Sequence, residues 1–191
     1  MNGCNKHMDR DTLFRSFTSL ETDRCELREV PLTCADDLFR IRSNPAGARL
    51  GPDAWTAPKQ AEDRIREWHK WFAAKEDVPW GVFLRGQDRL IGHIKYAFVR
   101  QYLGAIGYHL DVDYWNRGIM TEVLGAVVRF LYDRTDAYRL EATVHSKHEA
   151  SIRVLEKIGF KCEGLLRART YWHGEFCDLY MYAVLRGEQL A

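Results

Sequence analysis

The sequence lacks any strong excess of charge of one sign. Its 191 residues include 28 lysines and arginines against 27 aspartates and glutamates, which leaves a formal net charge of +1 at pH 7. Nucleic acids and anionic membranes select proteins with a pronounced basic excess. We therefore expect neither kind of partner, and the overall charge does not identify a ligand.

Long apolar runs are also missing. No segment approaches the roughly 20 consecutive apolar residues that cross a bilayer, and the polar stretch Met1–Arg15 does not resemble a secretion signal. The five cysteines are odd in number, widely spaced and without a CxxC pair, so we predict neither a disulfide scaffold nor a metal site. These absences together favour a cytoplasmic protein.

Aromatic residues, in contrast, make up 13% of the chain and include six tryptophans. Such a composition argues against a disordered chain, and the length suits one domain of roughly 100–200 residues. We predict a flexible N-terminal extension over residues 1–17 and a single domain over residues 18–191. Helix and strand patterns follow one another in the order β-α-α-β-β-β-α-β-α-β-β.

The fold class follows from one connection in that order. A strong helix pattern begins near Gly118, with one apolar line that runs from Ile119 to Leu131. It lies between two predicted strands, Ala105–Leu110 and Leu140–Val144. A helix that joins neighbouring strands requires a crossover and favours a parallel pair, within a sheet that is otherwise antiparallel. We therefore predict an α/β (α+β) domain built on a mixed, mostly antiparallel sheet.

A strand end, a short polar turn and a glycine at a helix start follow one another between Leu110 and Glu122. The first N–H groups of a helix lack internal partners and carry partial positive charge, so a phosphate can dock there. A glycine allows a ligand to approach the backbone closely, and Arg117 would add a cation. The alternative is an ordinary turn capped by Asn116 or Thr121.

Several well-known site motifs are absent. The chain has no GxxxxGK[ST] or GxGxxG phosphate motif and no GxSxG nucleophile turn. His145, His148 and Glu149 do not have the HExxH spacing, and no distant third ligand is indicated. We expect a solvated loop and helix start there rather than a metal centre.

Two segments carry a resemblance to a known family. Tyr114–Glu122 (YWNRGIMTE) and Ala150–Phe160 (ASIRVLEKIGF) resemble the GNAT superfamily of acyl-CoA-dependent N-acyltransferases. Within that superfamily they are similar to the Rim-type branch, the ribosomal-protein alanine N-acetyltransferases. Each motif alone has low specificity, but the order and spacing of the two together are specific.

The two ends of the chain are similar to the same branch. Leu20–Arg28 resembles its opening, and Glu163–Arg167, followed by Gly174 and Asp178, resembles its ending. The resemblance thus covers about Ser19–Leu185. It implies a single GNAT-like domain with about seven strands, splayed between the fourth and fifth, and about four flanking helices.

The resemblance implies acetyl-CoA as the co-substrate, held between the fourth and fifth strands. Its pyrophosphate would lie on the loop around Gly118, its pantetheine arm would pair with backbone near Leu110–Val112, and its sulfur would lie beside Ser151. His148 stands where the family usually has asparagine. The predicted CoA-binding residues are Leu110, Val112, Trp115, Asn116, Arg117, Gly118, Ile119, Met120, Thr121, His148 and Ser151.

The usual acid and base residues of the family are missing. Leu155 occupies the site where many members place a tyrosine acid, and Thr170 stands where the Rim type has a glutamate base. The acidic position that other members use on the fourth strand reads Gly104-Ala105.

Three other residues are therefore the catalytic candidates. Ser151 could protonate or hydrogen-bond the departing thiolate, or its hydroxyl could simply bond the helix backbone. His109 and Glu141 are candidate bases, although strand alternation could point either of them away from the site. Glu141 could instead pair with a neighbouring arginine, and water could carry the proton.

Aromatic residues are expected around the acceptor. Trp55, in a Gly/Pro-containing loop, and Tyr171 and Trp172, beside the His173-Gly174 turn, are the predicted substrate-binding residues. They could equally be lids over the core or a dimer contact.

We expect acetyl transfer to a primary amine, most simply a protein or peptide N-terminus. The alternatives are a small-molecule amine (an antibiotic, a polyamine or a nucleoside amine) and a non-catalytic acyl-CoA-binding module. A monomer and a homodimer are both compatible with the sequence.

Overall fold

The computed structural model describes residues 13–188. Eight strands form one sheet in the order β1-β2-β3-β4-β5-β6-β8-β7. The strands are β1 (Leu20–Glu21), β2 (Cys25–Arg28), β3 (Asp77–Leu84), β4 (Leu90–Arg100), β5 (Leu103–Leu110), β6 (Arg139–His145), β7 (Lys161–Trp172) and β8 (Glu175–Leu185). The α-helices are α1 (Ala35–Ser43), α2 (Pro45–Ala48), α3 (Lys59–Ala73), α4 (Ile119–Arg134) and α5 (Glu149–Ile158). Short 3₁₀ turns span Leu32–Cys34 and Val112–Tyr114.

Hydrophobic cores lie on both faces of the sheet. On one face, α4 and α5 cover the larger core, and the predicted apolar line of α4 is fully buried at Val123, Val127 and Leu131. On the other face, α1 and α3 cover a smaller core that includes Ile41 and Ile65. None of the helices in the described part of the chain is long and apolar enough to cross a membrane.

The sheet opens between β5 and β6. These two strands pair in parallel at only three positions, Leu103 with Arg139, Gly104 with Leu140 and Ala105 with Glu141. Beyond Ala105 the strands diverge, so the second half of β5 has no strand neighbour on that side. The structure therefore confirms the predicted α/β architecture, its single parallel pair and the splay.

Local details differ from the sequence prediction. The structure has one strand more than the seven expected, namely β1, which is only two residues long. The predicted fourth and fifth strands are therefore β5 and β6. The Gly/Pro-containing segment that leads to Trp55 begins with α2, where Pro45 occupies the first turn and the Asn44 side chain accepts the Ala46 N–H at 3.0 Å. A 3₁₀ turn, Leu32–Cys34, leads directly into α1, and no side chain caps that helix.

The boundary predicted at residue 17 is too late. Leu13 and Phe14 are buried in the larger core. The ring of Phe14 lies 5.2 Å from that of Phe72 and 5.6 Å from that of Phe98. Apolar contacts of this kind fix residues 13 and 14 to the domain. The predicted flexible extension otherwise falls on residues 1–12, outside the described residues.

Candidate active site

The open half of β5 offers backbone groups to a ligand. The Asp111 N–H donates to the carbonyl of Ile91 on β4 at 2.8 Å. Because hydrogen bonds alternate along an antiparallel pair, the backbone groups of Tyr108 and Leu110 face the gap toward β6. The Leu110 carbonyl also accepts the indole N–H of Trp115 at 2.9 Å. An extended ligand would therefore find a strand-like edge here.

A left-handed loop leads from β5 into α4. Asn116 has φ 58° and Gly118 has φ 72°. Gly118 is the N-cap of α4 and provides no capping side chain, so the alternative of a cap by Asn116 or Thr121 is wrong. The first N–H groups of the helix thus face outward without internal partners. The side chains of Ile119 and Met120 are buried in the core, so only their backbone can contact a ligand.

Arg24, in the turn between β1 and β2, holds this loop from one side. Its guanidinium donates to the Glu122 carboxylate at 2.6 Å and to the Arg117 carbonyl at 2.7 Å. Burial alone would raise the pKa of Glu122, but hydrogen bonds from Thr22 and Arg24 lower it. The Glu122 anion also suits the positive end of α4. These contacts stabilise the loop conformation without any ligand.

Asp111 holds the loop from the other side. Its carboxylate is buried, accepts the Asp113 N–H at 3.2 Å and forms an ion pair with Arg40 on α1. Arg40 also donates to Asp37 and to the Leu90 carbonyl, both at 3.3 Å. Burial alone would lower the pKa of Arg40, but its bonds to Asp111 and Asp37 raise it. The start of the loop is thereby fixed to α1.

Asp111→Ala is expected to lower the free energy of unfolding by about 2 kcal/mol. Breaking a buried ion pair typically costs about 3–5 kcal/mol. The cost is smaller here because Arg40 is one-third exposed and keeps its ion pair with Asp37. Urea unfolding measures the change. Asp113→Ala, in the same turn and exposed, is the matched control and should change stability by less than about 0.5 kcal/mol. Equal effects of the two variants would contradict this role of Asp111.

Ser151 lies in the first turn of α5 and contacts a tyrosine of β5. Its Oγ is 2.7 Å from the hydroxyl oxygen of Tyr108, which also lies 3.2 Å from the Ser151 carbonyl. Burial raises the pKa of Tyr108 to about 12, so the phenol stays protonated. Sequence reasoning missed Tyr108. Strand alternation could have placed it on the sheet face opposite His109.

His148 is the N-cap of α5. Its Nδ1 accepts the Ser151 N–H at 3.3 Å, so the ring proton of the neutral form lies on Nε2. Burial, followed by His145, lowers the pKa of His148 and favours that neutral form. The ring thus fills the capping role that an asparagine commonly has. Within residues 13–188, no three His, Cys, Asp or Glu side chains are grouped so that they could hold a metal.

Glu141 is not free to act as a base. Its carboxylate accepts the Arg139 Nε–H at 2.7 Å, and Arg139 also forms an ion pair with Glu163 of β7. Glu141 is paired with Ala105 at the closed end of the splay. The contacts support the structural alternative, and we therefore withdraw Glu141 as a catalytic candidate.

His109 lies on the sheet face that α1 and α3 cover. Its Nδ1 is 3.4 Å from Nη1 of Arg42, and a guanidinium can only donate, so Nδ1 accepts and the proton lies on Nε2. Burial and then the positive charge of Arg42 lower the pKa of His109 to about 4. The ring is neutral near pH 7, but its basic lone pair is already occupied. We therefore also withdraw His109 as the general base.

Acidification is expected to weaken the fold through His109. An unfolded histidine binds a proton below about pH 6.5, whereas folded His109 resists protonation down to about pH 4. Its contribution to stability is complete above the unfolded pKa and is lost as the pH falls toward 4. From about pH 7.5 to about pH 4.5, the stability advantage of the wild type over His109→Gln should shrink by about 2–3 kcal/mol in urea unfolding. An advantage that does not change with pH would contradict this.

His173 connects the β7–β8 turn to the end of α2 and to the segment that follows it. Its Nε2 lies 3.1 Å from the Ala48 carbonyl and 3.0 Å from the Gly51 carbonyl, and its Nδ1 lies 2.8 Å from the Asp53 carboxylate. His173 and Gly174 both have positive φ, as a two-residue hairpin turn of type I′ requires. The two segments predicted to surround the acceptor are thereby joined.

The three predicted acceptor-binding aromatics do not all lie together. Trp55 is half-buried, with its ring 5.2 Å from the Arg42 guanidinium, and Trp172 is half-buried and stacks on His145 at 6.4 Å. Both belong to the segments that His173 joins. Tyr171 is 60% exposed and contacts only Phe176 among the aromatic rings of the described residues. Trp55 and Trp172 therefore remain candidates, and Tyr171 faces outward.

The chain itself matches a known family over most of its length. Residues 24–161 match the family model described as an acetyltransferase (GNAT) domain. The chain belongs to the GNAT acetyltransferases. The N-acetyltransferase YoaA of Bacillus subtilis (strain 168), itself uncharacterized, is 32% identical over 173 residues, which are 89% of this chain and 98% of YoaA. The protein is therefore an acetyltransferase, as the resemblance predicted.

Solved structures of Rim-type enzymes share the fold. The ribosomal-protein-S5-alanine acetyltransferase from Vibrio fischeri has a TM-score of 0.79 and 20% identity, over 89% of this chain and 97% of that one. RimL, a ribosomal L7/L12 α-N-protein acetyltransferase solved with coenzyme A, has a TM-score of 0.79 and 21% identity, over 88% of this chain and 98% of that one. The predicted likeness to the Rim-type branch is confirmed at the level of the fold.

Proposed function

We propose that this GNAT acetyltransferase transfers the acetyl group of acetyl-CoA to the α-amino group of a peptide or protein N-terminus. The observation that carries the proposal is the gap between β5 and β6, with an uncapped helix start at one end and the Tyr108–Ser151 pair inside it. The fold shared with enzymes that acetylate ribosomal proteins supports a peptide acceptor.

In this proposal the CoA pyrophosphate binds the N–H groups that begin α4, with Arg117 as the nearby exposed cation. Gly118 allows the phosphates to approach the backbone. The pantetheine arm pairs with the backbone of Tyr108 and Leu110–Val112 and extends the sheet into the gap. Oriented backbone amides supply most of the anion binding, which is why the chain needs no excess of positive charge.

The reaction needs few groups from the protein. The neutral amine attacks the thioester carbonyl carbon, a C–N bond forms, the C–S bond breaks, and the thiolate takes a proton from the Ser151 hydroxyl. In this proposal Tyr108 is the donor to Ser151 Oγ, which lies 2.7 Å away, so the serine hydrogen is free to point toward the thiolate. Many family members place a tyrosine on this helix, at the position of the buried Leu155. Here Tyr108, on β5, brings a tyrosine hydroxyl to α5 instead.

Water accepts the proton that the amine loses and returns a proton to Ser151, so that the serine hydroxyl is restored after each turnover. The two candidate bases identified from the sequence are engaged elsewhere, Glu141 by Arg139 and His109 by Arg42. Proximity and orientation in the gap then supply much of the rate enhancement, because acyl transfer to a positioned neutral amine needs little further assistance. Activity should accordingly rise with pH as more of the acceptor is neutral.

Thiol release from acetyl-CoA, measured with a panel of amines, tests the proposal. Short peptides that begin with Ala or Ser should be turned over, whereas aminoglycosides, polyamines and nucleoside amines should not. Turnover confined to one of those small amines would replace the peptide acceptor with that amine. Measurable CoA binding without any turnover would favour the non-catalytic module.

A further inference from the structure

Arg42, on α1, is a half-buried guanidinium with no carboxylate partner in residues 13–188. Its neighbours differ in this respect, since Arg40 pairs with Asp111 and Arg64 lies 3.0 Å from Glu67. Within the described residues, its guanidinium donates to His109 Nδ1 and lies over the face of Trp55, and neither contact neutralises its charge. Burial and the charge of Arg64 lower the pKa of Arg42, so an anion at this place would be stabilising.

Two buried hydrogen-bond donors at this place have no acceptor. Arg42 Nε and His109 Nε2 are both shielded from solvent and unpartnered within the described residues. Because Arg42 occupies His109 Nδ1, the Nε2 atom carries the proton and is a donor. A buried donor without a partner is destabilising. An oxygen acceptor would satisfy both donors, and next to a guanidinium an anionic acceptor is favoured.

The cluster borders the gap where the thioester is proposed to lie. His109 is between Tyr108 and Leu110, whose backbone faces that gap. At Gly107, on the same sheet face as His109, an added Cβ would have no atom within 4 Å. At Gly47, on α2, an added Cβ would lie only 3.2 Å from His109 Nε2, so a side chain there would crowd the donors. His109 therefore lies on the same face of β5 as the open space at Gly107.

We propose that the acceptor is an amine that carries a carboxylate a few bonds from its nitrogen, and that Arg42 binds this carboxylate while His109 Nε2 donates a second hydrogen bond. A carboxylate matches the planar fork of a guanidinium in a way that a neutral carbonyl does not. This inference rests on the proposed function and narrows its acceptor. The carboxylate belongs either to an acidic side chain near a peptide N-terminus or to a free amino acid.

Paired peptides test the inference. The kcat/KM for peptides that begin Ala-Glu or Ala-Asp should exceed that for Ala-Gln or Ala-Asn by about tenfold or more. In Arg42→Gln this preference should fall toward one, and Arg42→Lys should restore part of it. Arg66→Gln, exposed on α3 and paired with Glu62, is the matched control and should keep the full preference. Free alanine compared with alaninamide distinguishes the two sources of the carboxylate.

A binding measurement separates this inference from the proposed function. In the presence of CoA, the acidic peptide should raise the Tm of the wild type more than the neutral peptide does, and Arg42→Gln should abolish the difference. If no peptide is turned over but this difference appears, the proposed function fails and the carboxylate site stands. Equal turnover of acidic and neutral peptides, or a preference that survives in Arg42→Gln, would overturn the inference. So would the absence of both turnover and a Tm difference.

Discussion

Gly118→Asp is expected to raise the KM for acetyl-CoA by about a hundredfold or more. The new carboxylate would lie at the start of α4, where the pyrophosphate is proposed to bind, and would repel it. The φ of 72° at this position also strains any residue with a side chain, by about 1 kcal/mol. Initial rates at varied acetyl-CoA concentration measure the change, and direct CoA binding by calorimetry should show the same loss.

Two further variants separate charge from backbone strain. Gly118→Asn has almost the same shape without the charge, and asparagine tolerates the left-handed region, so its KM should rise far less. Gly86→Asp introduces a carboxylate at φ 70° in the turn between β3 and β4, remote from the loop, and should leave the KM unchanged. Unaltered CoA affinity in Gly118→Asp would place the pyrophosphate elsewhere.

Ser151→Ala is expected to lower kcat by about a hundredfold and to change the KM for acetyl-CoA by less than about threefold. General acid assistance of this kind contributes about 10²–10⁴ in rate, and the serine acts on the leaving sulfur rather than on the body of CoA. The loss of kcat should be largest below the pKa of the CoA thiol. At such pH the departing sulfur is more stable as a thiol than as a thiolate, so a proton from Ser151 helps most. Equal kcat in the variant and the wild type would remove Ser151 from the mechanism.

Tyr108→Phe tests how the serine is oriented. Loss of the phenol hydroxyl leaves Ser151 in place but frees its rotation, so kcat should fall by about tenfold, less than in Ser151→Ala. In the double variant the two effects should not multiply, because Tyr108 acts through Ser151. Tyr138→Phe, an exposed tyrosine just before β6, is the matched control and should keep full activity. Multiplicative effects would indicate independent roles.

The features that sequence predicted correctly are those that depend on neighbours along the chain. The start of α4 at Gly118 and its buried apolar line follow from one glycine and from helical spacing. The parallel pair of β5 and β6 follows from the helix between them.

The contacts that shape the site join residues far apart in sequence, and no local pattern indicates them. Arg24 and Glu122 are separated by 98 residues, Arg40 and Asp111 by 71, and Tyr108 and Ser151 by 43. Charged and polar residues at such positions usually face solvent, so composition gives no reason to pair them. The roles of Arg42, Tyr108 and His173 therefore became visible only when the sheet brought α1, β5 and the β7–β8 turn together.

The central claim is that acetyl leaves CoA in the β5–β6 gap and arrives on a terminal amine. Mass spectrometry of the peptide, run beside thiol detection on the same mixture, tests it most directly. We predict one thiol released for each peptide acetylated, with the acetyl group on the α-amino nitrogen and with both signals reduced together in Ser151→Ala. Thiol release without acetylated peptide, or acetyl found only on lysine side chains, would contradict the account.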